Sequence, residues 1–381
     1  MPKGYEALIF VFAPFLVAVL LTPVMIVVSK ARGWYDAPGE RKIHKDPIPR
    51  LGGVGIFCAT WAGWLIFTQR FSDSIPVEAV QPLWAFFIAS TLVFLLGVYD
   101  DLWGANAYKK LTVQLIAAVI VVAHGFKISL VYNPFGTGDI VPNDFLSWTL
   151  SILWIVVVTN AINLIDGLDG LACGVCLITS LSIFFISKAL GVPHLPYFAL
   201  AMSGACLGFL IFNFSPARIF LGDSGSLFLG FALACLSLLG SVKRSTAIVM
   251  FGPPLILALP VADTLLAVFR RLLKKQDGVV LSWAQIVARL KEVFEADQEH
   301  IHHGLIRIGL SHSRAVMILY VVTGVLGLTA YQGAVKERLL STLLILLLPA
   351  GGLFWLLRKV KKVSKAAEQA ESKLAQPRPR T

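Results

Sequence analysis

The chain has 381 residues, 57% of them hydrophobic and only 14% charged, with a formal net charge of +11 and a mean hydropathy of +0.77. Soluble domains average about 25% charged residues, so a string of ordinary soluble domains is excluded. Apolar runs of about 17–25 residues recur along the chain, each long enough to cross a roughly 30 Å hydrocarbon core as a helix.

The chain therefore reads as an all-α polytopic membrane protein with about eleven transmembrane helices. The first expected span is 7–28. The opening "MPKGYEALIFVF" has a thin basic flank, and no small-residue cleavage site precedes "SKARGWYD", so it reads as a retained helix. Further spans are expected at 51–68, 81–98, 111–124, 146–162, 171–187, 197–214, 226–240, 246–269, 314–331 and 339–357, the fourth and eighth being the shortest. Loops 29–50, 99–110, 159–170, 215–225 and 270–314, with the segment 358–381, carry 25 of the 33 lysines and arginines. Cytoplasmic loops collect these residues, which puts the N-terminus outside and the C-terminus in the cytoplasm. Residues 1–357 are expected to form one integral membrane domain. Residues 358–381 are expected to be a basic tail, disordered or lying on anionic membrane lipid, and no nucleic-acid partner is expected. The cysteines at 58, 173, 176, 206 and 235 all fall inside expected spans. The Cys173/Cys176 pair lacks a second C-x-x-C and reads as packing. No internal repeat is visible.

Against this background, five polar islands lie on the expected cytoplasmic face. The first, "DAPGERKIHKDPIPRLGG", contains Asp36, Arg41, His44 and Arg50. The second joins "YDD", with Asp100 and Asp101, to "YKK", with Lys109 and Lys110. Adjacent carboxylates repel and ask for a cation, a basic partner or a bound proton. At a helix C-terminus they also oppose the dipole. The third island, "NAINLIDGLDG", repeats Asn160, Asn163, Asp166 and Asp169 every three residues. With 3.6 residues per turn such a row drifts around a helix, so the four converge only where the helix ends, and Gly167 and Gly170 permit that. Ionisable groups at membrane depth are costly, which favours a functional reading.

The fourth island, "LGDSGS", places Asp223 between glycines just before a span, where helix N–H groups favour an anion. Asp and Asn oxygens are hard donors that suit Mg²⁺ or Mn²⁺ and do not suit zinc. The fifth, "HIHHGLIRIGLSHSR", brings His300, His302, His303 and Arg307 without a nearby cysteine. Hydrogen bonding to a polyhydroxyl or phosphate ligand suits it better than zinc. Asp263, inside the ninth expected span, reads as structural or as a wall of the site. Carboxylates, a hard divalent ion and basic groups on one membrane face suit a phosphate-bearing soluble substrate meeting a lipid one. A transporter of a phosphorylated solute would need such residues near the midplane with access from both sides, and these islands are one-sided.

Taken together, "YDD", "NAINLIDGLDG", "FNFSPARIFLGDSGSLFLG" and "HIHH" resemble the polyprenyl-phosphate N-acetylhexosamine-1-phosphate transferases, the family of MraY, WecA and TagO, over residues 30 to 320. "HIHH" and "IPRLGG" resemble the WecA/TagO branch, whereas MraY-type enzymes carry "HHHxE" and "PTMGG". Gly304 after "HIHH" departs from the bulkier or basic residue usual there, which bears on the sugar. The resemblance implies transfer of N-acetylhexosamine-1-phosphate from a UDP-N-acetylhexosamine, UDP-GlcNAc first, to undecaprenyl phosphate, with Mg²⁺ and release of UMP. UDP-MurNAc-pentapeptide or another UDP-amino sugar is the alternative donor. By the same resemblance Asn163 and Asp223 would hold the metal, and Asp100, with Asp101 beside it, would act on the lipid phosphate. Asp166 and Asp169 would line the nucleotide site, and His300, His302 and His303 would face the sugar or diphosphate. Lys110 and Arg50 would bind phosphate, with Asp36 and Arg50 in the first-loop wall. A homodimer is known among relatives, although no residue pattern here marks a dimer face.

Overall fold

The computed structural model describes residues 6–36, 47–72, 75–129, 141–192, 194–239, 255–273 and 301–336. Its helices, in chain order, are α1 (Ile9–Arg32), α2 (Gly52–Arg70), α3 (Val77–Trp103), α4 (Ala107–Ala123), α5 (Asp144–Ile165) and α6 (Leu171–Ala189). They continue as α7 (Leu195–Asn213), α8 (Gly222–Leu239), α9 (Ala258–Leu273), α10 (Ile301–Arg307) and α11 (His312–Lys336). Six of the described helices are long and apolar enough to cross a membrane: α1, α3, α5, α6, α7 and α11. The chain is a multi-pass helical membrane protein. Expected spans one to eight and ten coincide with α1–α8 and α11. The ninth is described from residue 255 onward, and the eleventh lies outside the described residues, as does the segment 358–381.

Local chemistry sets the helix ends. Gly33, in the left-handed region at φ 71°, closes α1, and Gly104 at φ 77° stops α3. The Asn106 side chain caps α4 by accepting the Lys109 N–H at 2.9 Å, and Asn143 caps α5 through the Leu146 N–H at 2.8 Å. Each such cap satisfies a donor that the helix itself leaves unpaired.

Helix α8 is the axis of the bundle. From Ser224 to Leu238 every residue is buried, the burial pattern of a helix surrounded on all sides. It packs against α2, α3, α5 and α6, while α7 packs against α1, α6 and α2. Close approach to α8 depends on missing side chains. A Cβ on Gly53 of α2 would run into the backbone of Ser224 and Gly225, and one on Gly97 of α3 into the backbone of Asp223 and Ser224. The far end of the bundle is packed with aromatic rings, including stacked Phe67 and Tyr197 at 4.9 Å and edge-on Phe86 and Phe198 at 5.0 Å.

One small departure from an all-α reading occurs in the first loop. Tyr35–Asp36 (β1) pairs antiparallel with Ile48–Pro49 (β2). The pairing continues toward α8: the Phe220 N–H donates to the Pro49 carbonyl at 2.9 Å, and the N–H groups of Gly52 and Gly53 donate to the carbonyls of Phe220 and Leu221 at 3.1 and 2.9 Å. The start of α2 is thereby sewn to the segment that enters α8.

Candidate active site

The C-terminal ends of α3 and α5 and the N-terminal ends of α4 and α8 meet at one end of the bundle, and each brings one or two members of the polar islands. Helix α3 runs to Trp103, so Asp100 and Asp101 occupy its last turn rather than a loop beyond it. Helix α8 begins at Gly222, so Asp223 lies inside its first turn rather than ahead of it.

Lys110, in the first turn of α4, joins two of these carboxylates. Its Nζ lies 2.7 Å from Asp100 Oδ2 and also pairs with Asp223 Oδ2. The second oxygen of Asp223 accepts from Asn163 Nδ2 at 3.1 Å. The same amide donates to Ser226 Oγ at 2.9 Å, and Ser226 in turn donates to the Gly222 carbonyl at 3.0 Å. Asp223 is thus held on both oxygens by groups from two other helices. Lys109 does not join this cluster: its Nζ lies 3.3 Å from the Tyr99 hydroxyl and 5.3 Å from the centre of that ring.

Asp101 has a different place from its neighbour. Its two oxygens accept the backbone N–H groups of Asp223 and Ser224 at 2.8 and 3.0 Å. Gly222, left-handed at φ 72°, lies so close that a Cβ there would press into this carboxylate. The anion expected at the start of α8 is therefore supplied by the chain itself. The positive end of the α8 dipole offsets the negative charge that sits unfavourably at the end of α3.

The "NAINLIDGLDG" segment divides as its glycines suggested. Asn160 and Asn163 remain on α5, Asp166 is the residue at its C-terminal cap, and Gly170, at φ 78°, starts α6. Asp169 accepts the Ala217 N–H on Oδ2 at 3.0 Å, which braces the loop between α7 and α8. Asp166 is half-buried. Burial first, then the negative charges of Asp223, Asp101 and Asp169, push its carboxyl well above the ordinary value.

The remaining expected residues sit as follows. Arg50 donates its backbone N–H to the Trp34 carbonyl at 3.4 Å, while its own carbonyl accepts from Ser29 Oγ at 3.2 Å. Asp36 is in β1. His302 and His303 are in α10, whose Leu305 is buried in the core, and His300 lies outside the described residues. Asp263 is on α9 and 2% exposed.

Two residues escaped the sequence reading. Gln114 of α4 is hydrogen-bonded to Asn160, and its position one turn after Lys110 was the available signal. Tyr320 of α11 donates to the Gly170 carbonyl at 2.5 Å and fills the space that a side chain at Gly174 would occupy. No sequence signal distinguishes it from an ordinary membrane-helix tyrosine.

The charge of this donor set suits a divalent ion. Asp100, Asp101, Asp166 and Asp223 crowd into one region, Lys110 bridges two of them, and Asp166 responds to the excess of negative charge. Among the described residues no three His, Cys, Asp or Glu side chains are grouped so as to hold a metal ion by themselves. Mg²⁺ is commonly held by one or two carboxylates plus substrate phosphates and water, so the residues fit such an ion.

Residues 83–241 match the sequence profile of Glycosyl transferase family 4. A Bacillus subtilis protein named probable undecaprenyl-phosphate N-acetylglucosaminyl 1-phosphate transferase is 35% identical over 332 residues, covering 85% of each chain. The chain belongs to the polyprenyl-phosphate N-acetylhexosamine-1-phosphate transferases. A Mycobacterium tuberculosis protein of this family, named decaprenyl-phosphate N-acetylglucosaminephosphotransferase, is 33% identical over 328 residues, covering 81% of this chain and 77% of its own. The phospho-N-acetylmuramoyl-pentapeptide-transferase of Clostridium kluyveri is 28% identical over 343 residues, covering 86% and 98%. Asp100, Lys110, Asn163 and Asp223 all fall within the part of the chain that matches the profile.

Proposed function

We propose that this chain transfers N-acetylglucosamine-1-phosphate from UDP-GlcNAc to undecaprenyl phosphate, releases UMP, and thereby initiates a cell-envelope polysaccharide. The observation that carries the reading is the meeting of Asp100, Lys110 and Asn163 on Asp223 at one end of an apolar bundle. Such a site lets a soluble phosphate donor meet a lipid phosphate at the membrane surface. UDP-GlcNAc ranks before UDP-MurNAc-pentapeptide because the relatives named for N-acetylglucosamine are 35% and 33% identical, against 28% for the pentapeptide one.

In the reaction, an oxygen of the lipid phosphate attacks the phosphorus that carries the sugar. One P–O bond forms there while the bond to the UMP oxygen breaks, and UMP leaves with the electron pair. Lys110 offers a point charge to phosphate oxygens. Asp100, paired with Lys110, faces the acceptor and directs it to the reacting phosphorus. Asp101 keeps Asp223 in place through the α8 backbone. Asp223 and the Asn163 carbonyl would hold Mg²⁺, or Mn²⁺, which supplies positive charge to the phosphoryl oxygens. Asp166 and Asp169 serve the nucleotide, His300, His302 and His303 the sugar or diphosphate, and Arg50 and Asp36 the wall of the first loop. Direct attack is preferred to a covalent aspartyl route because phosphoryl transfer requires mainly positioning and charge stabilisation.

The finer topology belongs to the same proposal: about eleven spans, the N-terminus outside, and the site on the cytoplasmic face of the bacterial plasma membrane. Among the described residues, Lys109 and Lys110 at the start of α4 and Arg50 just ahead of α2 lie at the end of the bundle where the cluster lies, which supports this orientation.

The test is UMP release by purified protein in detergent with undecaprenyl phosphate and Mg²⁺, comparing UDP-GlcNAc with UDP-GalNAc and UDP-MurNAc-pentapeptide. Turnover with UDP-GlcNAc that is lost in EDTA is the expected result. No UMP from any donor, under conditions where the protein binds none of them, would remove the proposal.

A further inference from the structure

One turn deeper than the carboxylate cluster, two side-chain amides meet between α4 and α5. Asn160 Nδ2 donates to Gln114 Oε1 at 2.6 Å and to its own helix at the Val156 carbonyl, 2.8 Å away. Gln114 Nε2 donates back to Asn160 Oδ1 at 3.4 Å. Gln114 is 1% exposed. An amide in apolar surroundings is costly without a partner, and each of these two supplies the other's.

The location of the pair gives it meaning. Gln114 follows Lys110 by four residues on α4, and Asn160 precedes Asn163 by three on α5. Residues at those spacings are neighbours on one helix face. Lys110 reaches one oxygen of Asp223 and Asn163 the other. Rotating or sliding α4 against α5 would pull Lys110 and Asn163 apart, and it would first have to break the amide pair.

We infer that Gln114 and Asn160 form a positioning pair, fixing the register of α4 against α5 and through it the convergence of Lys110 and Asn163 on Asp223. Among the described residues neither Gln114 nor Asn160 is hydrogen-bonded to Asp223, so each acts through its neighbour on its own helix. The activity readout rests on the transferase reading above, so unfolding is measured alongside it.

The test uses the full chain in detergent, with UMP release from UDP-GlcNAc and thermal unfolding recorded for each variant. Gln114→Asn alone opens a gap, Asn160→Gln alone overfills it, and the double exchange preserves the combined reach of the two side chains. Each single variant is expected to lower kcat about tenfold, the scale of a small misplacement, with KM for UDP-GlcNAc within about twofold of wild type. The exchange should restore most of the lost kcat. Single variants with wild-type kcat overturn the inference, and so does an exchanged protein no better than the worse single. If the singles do not fold, the exchange decides: folding with turnover supports the pair, and failure of either overturns it. A wild type that releases no UMP counts against the transferase reading alone. The pair is then judged by unfolding, where a Tm of the exchange above both singles supports it and a Tm below them overturns it.

Discussion

Asp101 accepts the backbone N–H of Asp223 at 2.8 Å across a separation of 122 residues. A carboxylate at the end of one helix thereby sets the first turn of another, and with it the direction of the Asp223 side chain. The two adjacent aspartates of "YDD" have divided their tasks: Asp100 faces Lys110, and Asp101 faces the backbone.

That division predicts a split between variants. Asp101→Ala removes both acceptors at the start of α8, so stability should fall by about 1–2 kcal/mol, the range for a lost helix cap. Turnover should fall about tenfold or more as Asp223 loses its placement. Asp101→Ser restores one acceptor and should recover part of the stability. Thermal unfolding in detergent and UMP release measure the two effects, and an Asp101→Ala protein as stable as wild type would show the cap to be idle.

Asp223→Asn should behave in the opposite way. Asp223 sits inside α8, and the substitution keeps its shape while removing its charge. Folding and membrane insertion should persist while nearly all Mg²⁺-dependent UMP release is lost. Near-normal turnover in this variant would overturn the proposed role of Asp223 as a metal ligand.

Much of this was legible in the sequence, and the unread part has physical reasons. Apolar length marks a membrane helix by itself, so the spans through 226–240 coincide with helices of the structure. Gly167 and Gly170 announced the break that leaves Asn163 on α5 and Asp166 at its end. The helix ends were harder, because the last turn of α3 and the first turn of α8 are defined by a contact between them. The sequence also suggested an external anion for the α8 N-terminus, since nothing local shows that Asp101 reaches it. Gln114 and Tyr320 were missed for the same reason: each acts through a partner on another helix.

Asp166 supplies a prediction in pH. Its carboxyl lies well above the ordinary value through burial and the charges of Asp223, Asp101 and Asp169. The folded protein therefore retains a proton that the unfolded chain loses near pH 4. Above that pH the folded state binds more protons than the unfolded one, so this residue's effect is to lower stability as pH rises toward the raised value. Asp166→Asn cannot ionise and escapes that loss. In EDTA its Tm should exceed that of wild type by a margin that widens from pH 5 to pH 8, and Mg²⁺ should narrow the margin. Parallel Tm curves for the two proteins would contradict this.

Gly97→Ala tests the clamp on α8. The added methyl falls on the backbone of Asp223 and Ser224, where neither atom set can swing aside as a flexible side chain does. Overpacking of this kind costs about 1–3 kcal/mol, and α8 should be displaced from α3. The expected outcome is a lower Tm together with lost UMP release. Wild-type values for both would show that the helices separate freely.

Lys110 and Asp223 meet across a separation of 113 residues, a span that contains all of α5, α6 and α7. During synthesis, Asp100, Lys110 and Asn163 are therefore all made before the residue that unites them. A ribosome-bound chain ending before α8 would carry Asp100, Lys110 and Asn163 without the carboxylate that joins them. The cluster can therefore close only once α8 has been made, while α9, α10 and α11 are still to follow.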